Sequence, residues 1–318
     1  MKKVLANDGL SPAGIARLEA AGFSVDTTKV AQEQLAQHIT DEQVDALLVR
    51  SATKVRADLI DQVKGQLKFI GRGGVGMDNI DVEYAREQGI LVHNTPAAST
   101  RSVAELVMAH LSGMVRFLHD SNRQMPLEGE TRFKELKKAY GKGTELQGAT
   151  LGIIGAGRIG QEVAKIAYGI GMKVVAHDPF QEEVNLELTF ADEQTITTSL
   201  PLLSIPELLQ QSDFISIHVG GAGKALLGEA ELAQMKPGAG LINTSRGGMI
   251  DEEALLKAIE DKHIAFAALD VFENEPTPKM ALLMNPALSL TPHIGAATLE
   301  AQERIGLEIA DLIIEKLG

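Results

Sequence analysis

Short apolar runs alternate with amphipathic stretches from the first residues onward: Lys3 to Asn7, Ala13 to Ala21, Phe23 to Asp26, Ala31 to His38 and Ala46 to Arg50. Brief β-prone runs, separated by segments whose apolar positions recur at helical spacing, predict a βαβ rhythm. The rhythm continues through a helix near Ala57 to Lys64, a strand at Leu67 to Ile70, a helix at Val82 to Gln88 and a strand at Ile90 to Asn94. Five strands of this kind predict one parallel sheet.

A longer helical stretch follows, Ser99 to His119, with Val103, Leu106, Val107 and Leu111 at helical spacing. It is expected to link domains or to form a subunit contact. The segment Asn122 to Lys142 is polar, has little apolar periodicity, carries Lys and Arg and reads as a loop or a partner-facing arm. From Thr150 the alternation restarts and runs through Lys173 to Ala176, Phe214 to His218, Gly240 to Asn243, Ala265 to Leu269 and Leu288 to Leu290. This predicts a second doubly wound domain. Periodicity does not say which domain the last helix, Leu299 to Leu317, packs against.

A chain of 318 residues suits two such domains. Its balance is acidic, 43 Asp and Glu against 30 Lys and Arg, so the overall field repels nucleic acid and anionic membrane surfaces, and neither is expected as a partner. The absence of cysteine removes disulfides, thiolate nucleophiles and Cys-based metal sites, and no metal is expected. No stretch has the apolar length of a signal core or a membrane span, so a cytoplasmic location is expected.

The first chemical signal is Gly155-Ala156-Gly157-Arg158-Ile159-Gly160, which follows the strand Leu151 to Ile154 and opens the helical pattern Gln161 to Tyr168. In a dinucleotide-binding turn the first glycine allows the tight bend, the second lets backbone approach the pyrophosphate, and the third lets helix and strand pack closely. Asp178 ends the next strand, near the offset of ~20 residues at which an acid meets the adenosine ribose. A carboxylate there repels a 2′-phosphate, which selects NAD over NADP. A second run of the same spacing, Gly71-Arg72-Gly73-Gly74-Val75-Gly76, lacks this context: Met77 to Ile80 intervene before any helix, and the matching offset falls on uncharged Asn94.

Three polar residues stand just after strands of the second sheet, where open α/β sheets place their ligands: Arg246, Glu275 and His293. Hydride transfer to or from a hydroxy acid needs a group that handles the hydroxyl proton, and histidine titrates in the useful range. An arginine grips a carboxylate through two parallel hydrogen bonds. Each residue also has a plain structural reading: His293 as a capped or buried side chain, Arg246 as the partner of Asp251, Glu275 as part of an acidic loop.

Taken together, Leu151 to Pro179, Asn243-Thr244-Ser245-Arg246-Gly247-Gly248, Ala268-Leu269-Asp270-Val271-Phe272-Glu273-Asn274-Glu275-Pro276 and Thr291-Pro292-His293-Ile294-Gly295 resemble the D-isomer-specific 2-hydroxyacid dehydrogenases over nearly the whole chain. The resemblance implies that Arg246 binds the substrate carboxylate, Glu275 polarises His293 and His293 shuttles the proton. It implies that Asp270 meets the nicotinamide carboxamide, and that Arg158, Ile159, His218 and Thr244 join Gly155, Gly157, Gly160 and Asp178 around NAD. The implied architecture is α/β, with two doubly wound parallel-sheet domains. One is a discontinuous, flavodoxin-like substrate-binding domain, 1–99 with 292–318; the other is an inserted Rossmann NAD-binding domain, 100–291. The implied hinges lie near Ser99 and Pro292, and the helix from Arg101 to His119 is implied to join a homodimer.

Val49-Arg50-Ser51-Ala52-Thr53-Lys54-Val55 and Gly71 to Asn79 look like the substrate loops of the D-3-phosphoglycerate dehydrogenases, a subgroup of that family. On that likeness Arg50 and Arg72, beside Ser51, bind the phosphate of a phosphorylated 2-hydroxy acid, and the backbone of Gly74 and Val75 meets its carboxylate. Pairing of Arg50 and Arg72 with Asp58 or Asp78 is the alternative. Two features depart from the subgroup. Val219-Gly220-Gly221-Ala222-Gly223-Lys224 is glycine-rich where a proline-containing loop is usual, and is expected to be more mobile. The chain stops at Gly318, so a serine-sensing carboxy-terminal domain is not expected. Besides an enzyme, the pattern leaves open a non-catalytic NADH sensor, against which the complete Arg246, Glu275 and His293 set argues.

Overall fold

In β3 (Ala46–Val49) every residue is buried, as a strand covered on both faces must be. Its alternate side chains serve two cores. Leu47 and Val49 join Leu5, Ile70 and Val92 on one face, under helices carrying Leu35, Ile39, Ile60 and Val63. Ala46 and Leu48 join Val4, Ala6 and Phe69 on the other, with Leu18, Ile309 and Ile313. A computed structural model describes residues 1–221 and 223–318 of the chain.

The chain divides into two units, Met1–Ser102 with Ala296–Gly318, and Val103–Gly295. In the first, β1 (Lys3–Ala6), α1 (Pro12–Ala20), β2 (Ser24–Asp26), α2 (Leu35–Asp41), β3, α3 (Ala57–Val63), β4 (Phe69–Arg72), α4 (Val82–Glu87) and β5 (Leu91–Asn94) build a parallel sheet of order β2-β1-β3-β4-β5. That is the flavodoxin-like order. The final helix, which periodicity left unassigned, packs on α1: a Cβ on Gly14 would lie 2.7 Å from the Gly306 carbonyl oxygen, so the two helices cross at backbone contact.

Two expectations about the middle of the chain are corrected. The long helix is broken: α5 (Thr100–Val115) ends before Phe117, whose φ of 53° is left-handed, and α6 (Leu118–Tyr140) starts again beyond it. The segment expected to be a loop, Asn122 to Lys142, is therefore mostly helix. Its apolar residues are sparse among charged ones, and Pro126 and Gly129 read locally as breakers; only Leu136 of α6 is buried. Arg132 pairs with Glu128 one turn away, and the Tyr140 hydroxyl donates to Asp120 at 2.7 Å.

The second unit contains β6 (Thr150–Ile154), α7 (Arg158–Gly169), β7 (Lys173–His177), β8 (Val184–Thr189), β9 (Thr195–Leu200), α8 (Ile205–Gln211), β10 (Phe214–Ile217), α9 (Glu229–Leu232), β11 (Ala239–Asn243), α10 (Glu252–Glu260), β12 (Ile264–Leu269), α11 (Met280–Leu283) and β13 (Leu288–Leu290). Six parallel strands run β13-β12-β11-β10-β6-β7, so the order reverses between β6 and β10. The antiparallel hairpin β8–β9 was not anticipated; Val184, Leu186 and Leu200 sink into the core while Asn185, Glu187 and Thr197 face out. The chain enters this unit at Val103 and leaves after Gly295, where Asp270 holds Thr291, Ile294 and Gly295 by hydrogen bonds. α12 (Leu299–Leu317) then completes the first unit. No helix among the described residues is long and apolar enough to cross a membrane.

Candidate active site

Where the strand order of the second unit reverses, β6 runs into Gly155, whose φ is +100°; a Cβ there would lie 2.7 Å from the carbonyl oxygen of His218, at the end of β10. Only glycine allows both the bend and this approach. Gly157 caps α7, and nothing lies within 4 Å of where its side chain would project, which leaves its outer side open. A Cβ on Gly160 would overlap the Gly155 carbonyl, so the first turn of α7 presses directly on the loop. Arg158 is exposed and Ile159 is half-buried in that turn, whose amides face outward as at any helix start.

Asp178, half-buried after β7, leans on the same loop. Its Oδ2 accepts the Ala156 amide at 2.9 Å and its Oδ1 accepts the Phe180 amide at 2.9 Å. Sequence reasoning missed Gln181, which donates to the Ala156 carbonyl at 2.7 Å and reaches Asp178 at 3.3 Å. His218 is half-buried with its Nε2 2.8 Å from Ser216 Oγ, and burial pushes its imidazole down to about 3. At the end of β11 the Thr244 hydroxyl is buried without a hydrogen-bond partner among the described residues. Buried hydroxyls seldom go unpaired, so this one awaits a ligand group. The open side of Gly157, the acid at Asp178 and the unpaired Thr244 together suit a dinucleotide.

Asn243 shapes the next loop by accepting from the Ser245 amide at 3.0 Å and donating to the Arg246 carbonyl at 2.8 Å. The Arg246 guanidinium donates to Ser245 O at 2.6 Å, while Asp251, its suggested partner, caps α10 through the amides of Glu253 and Ala254. A Cβ on Gly247 would overlap the Phe272 carbonyl, so the Arg246 loop lies against the loop that carries Glu275. Of the segment 219–224, Ala222 lies outside the described residues; Gly221 sits near the Arg246 stem, its Cβ position 3.6 Å from Arg246 Cβ.

Glu275 and His293 meet: Oε2 is 2.8 Å from Nδ1, and Oε1 accepts the Phe272 amide at 3.0 Å. Both side chains reach solvent, His293 at 44 % exposure. They border an apolar cavity of about 450 Å³ formed with Phe272, Pro278, Leu283 and Leu290. Asp270, expected to face the nicotinamide carboxamide, is 1 % exposed and already accepts Thr291 Oγ1 at 2.6 Å and the amides of Ile294 and Gly295 at 2.8 Å each. Its observed task is to hold the His293 loop.

In the first unit, Arg50 and Arg72 lie on adjacent strand ends, since Val49 pairs with Arg72 across β3 and β4. Arg50 is half-buried and Ser51 exposed; the Arg50 backbone is held by Asp8 at its amide, 2.7 Å, and by Asn79 at its carbonyl, 2.7 Å. Arg72 donates to Gly73 O at 3.2 Å and fills the space where a Gly74 side chain would stand. The Gly74 amide, expected to meet a substrate carboxylate, instead donates to Thr95 Oγ1 at 2.8 Å. Val75, the other residue of the pair, is 39 % exposed, and its carbonyl accepts Asn94 Nδ2 at 2.6 Å.

Residues 108–295 match the family model for the D-isomer specific 2-hydroxyacid dehydrogenase, NAD binding domain. The chain is 44 % identical over 281 residues to a hydroxypyruvate reductase of Thermotoga maritima, covering 87 % of this chain and 86 % of that protein. It is 41 % identical over 320 residues to a D-3-phosphoglycerate dehydrogenase of Methanocaldococcus jannaschii, covering 98 % of this chain but only 57 % of that longer protein. Among solved structures, a glyoxylate reductase from Paecilomyes thermophila superposes with a TM-score of 0.83 at 30 % identity, covering 99 % of this chain and 96 % of the other. The chain therefore belongs to the D-isomer specific 2-hydroxyacid dehydrogenase family, as an oxidoreductase whose Val103–Gly295 unit is its NAD-binding domain.

Proposed function

We propose that this protein interconverts 3-phospho-D-glycerate and 3-phosphohydroxypyruvate, with His293 as proton carrier and Arg246 as the grip on the substrate carboxylate. The contact of His293 Nδ1 with Glu275 carries the reading of the chemistry. With Nδ1–H donated to the carboxylate, Nε2 is the nitrogen left to take the hydroxyl proton in oxidation and return it in reduction. Glu275 stabilises the imidazolium that forms between these events. NAD supplies the acceptor or donor of the hydride. Gly155, Gly157, Gly160, the first turn of α7, Asp178, His218 and Thr244 are the residues that would hold it.

The phosphate assignment rests on Arg50 and Arg72 at neighbouring strand ends, where charge-assisted hydrogen bonds to a dianion would form. A second reading, reduction of unphosphorylated hydroxypyruvate, is favoured by the relative of 44 % identity, which is matched over most of its length. A panel of 2-keto acids at fixed NADH separates them. Phosphohydroxypyruvate should be reduced with the highest kcat/KM, and Arg50→Ala should impair it selectively. A preference for hydroxypyruvate or glyoxylate would leave the enzyme class standing and remove the phosphate. No turnover of any keto acid by a protein that binds NADH would favour a sensor instead.

The exposed Leu118, Met125, Leu127 and Phe133 of α6 fit association with a second copy of the chain. A monomer by sedimentation across micromolar concentrations would remove the dimer.

A further inference from the structure

Within the second unit, α5 carries a buried histidine that the proton transfer above does not use. His110 is 5 % exposed and lies on the buried face of α5, three residues after Val107 and seven after Val103. Both ring nitrogens meet hydroxyls of the chain leaving β13: Nδ1 is 2.9 Å from Ser289 Oγ and Nε2 is 3.1 Å from Thr291 Oγ1. Thr291 gives its one hydroxyl proton to Asp270 at 2.6 Å, and a carboxylate has no hydrogen to return. The proton of the imidazole must therefore sit on Nε2 and point at Thr291, which leaves Nδ1 to accept from Ser289. Burial pushes this imidazole below its ordinary range against the opposing charge of Asp270, in keeping with a neutral ring.

The chain of bonds continues to the reacting side chain. Asp270 accepts the amides of Ile294 and Gly295 at 2.8 Å each, so one carboxylate ties down the chain on both sides of His293. His293 itself has a φ of +55°, a left-handed conformation that a side chain with a Cβ adopts only when its surroundings hold it there. Rotating this backbone would swing Nδ1 away from Glu275. An apolar residue at 110 could fill the same volume, but it would leave the Ser289 hydroxyl without its acceptor and the Thr291 oxygen with Asp270 as its one remaining side-chain partner among the described residues.

We propose that His110 is a positioning residue for the reaction: through Thr291 and Asp270 it fixes the backbone that aims His293. The proposal rests on the reading of His293 as the proton carrier. It assigns to α5 a part in the chemistry beyond packing, carried by a specific tautomer rather than by charge.

A double-mutant cycle on the purified protein tests it, using NADH and whichever of phosphohydroxypyruvate and hydroxypyruvate the parent reduces faster. His110→Leu should lower kcat by about tenfold. The KM of the keto acid and the Kd of NADH, read by fluorescence titration, should stay within about twofold of the parent. His110→Gln, which can present an amide N–H to Thr291 and its oxygen to Ser289, should recover most of the rate. Thr291→Val should cost as much as His110→Leu, and combining the two should cost little more than either. Should His110→Leu fail to fold, His110→Asn, too short to reach Thr291, closes the same cycle. An unchanged kcat, a loss confined to KM, no recovery with Gln, or losses that multiply across the two sites would each overturn the proposal. His293→Ala serves as the separate control. If it keeps turnover, the proton-carrier reading falls; if it is inactive while His110→Leu is unaffected, only the role of His110 falls.

Discussion

The Asp8 carboxylate accepts the backbone amide of Arg50 at 2.7 Å and, with the same oxygen, the amide of Thr53 at 3.1 Å; its other oxygen takes the Thr53 hydroxyl and Lys29. One buried acid thus fixes the loop on which Arg50 stands. Burial by itself would raise this carboxyl, but the hydrogen bonds from Lys29, Arg50 and Thr53 outweigh it and hold the group below its ordinary 3.8. A carboxyl lowered on folding adds stability that is complete above the unfolded value and is lost as pH falls through the folded one. Asp8→Asn should therefore lower stability at pH 7 by about 2 kcal/mol in urea unfolding. The gap from the parent should close below pH 3.8, and a gap independent of pH would contradict this account.

Two glycine-to-alanine changes should have opposite signatures. Gly247→Ala forces a Cβ into the Phe272 carbonyl and should cost about 2 kcal/mol of stability together with turnover, since the Arg246 and Glu275 loops must move apart. Gly157→Ala meets nothing within 4 Å and should leave the melting temperature nearly unchanged while weakening NADH by about tenfold. Equal melting losses in both would mean that Gly157 is a structural glycine only.

Coenzyme choice should depend on Asp178, whose oxygens each accept one backbone amide and keep capacity for a ribose hydroxyl. Asp178→Ser should weaken NADH by about tenfold and bring NADPH closer to it, because the repulsion of a 2′-phosphate is gone. Titrating both coenzymes into parent and variant measures the ratio; an unaltered ratio would assign the discrimination elsewhere.

His218, lowered to about 3 by burial, binds no proton in the folded protein across the neutral range, whereas the unfolded chain protonates it below its ordinary 6.5. The unfolded state then holds more protons, so stability falls as pH drops from 6.5 toward 3, by at most about 1.4 kcal/mol per pH unit. Replacing His218 with Gln should flatten that part of a chemical-denaturation profile. The same slope in parent and variant would place its cause in other groups.

Much of the site was readable before the fold. The glycine loop sits where its strand-turn-helix context put it, and Glu275 and His293, eighteen residues apart, touch at 2.8 Å. What local spacing did not reveal has a common cause. α6 was hidden by its sparse apolar residues and by Pro126 and Gly129, which signal a loop locally. The three hydrogen bonds of Asp270 to the His293 loop depend on the backbone bend after β13, which no local pattern encodes. The amide of Gly74 was read as open because Thr95, its partner across 21 positions, lies beyond β5. A polar residue amid the apolar positions of α5 was the one available sign of His110.

By itself the sequence determined the α/β class, the glycine turn between β6 and α7 and the family, because each is written in short-range spacing: turns need glycine, strands need alternation and helices need recurrence. Only the tertiary structure decided that α12 packs on α1, that Asp270 binds the chain on both sides of His293, that His110 meets Ser289 and Thr291, and that Asp8 secures Arg50. Those outcomes depend on which distant groups share a low-dielectric interior. There an unpaired donor or acceptor costs on the order of a kcal/mol or more, and the chain settles where the pairs close.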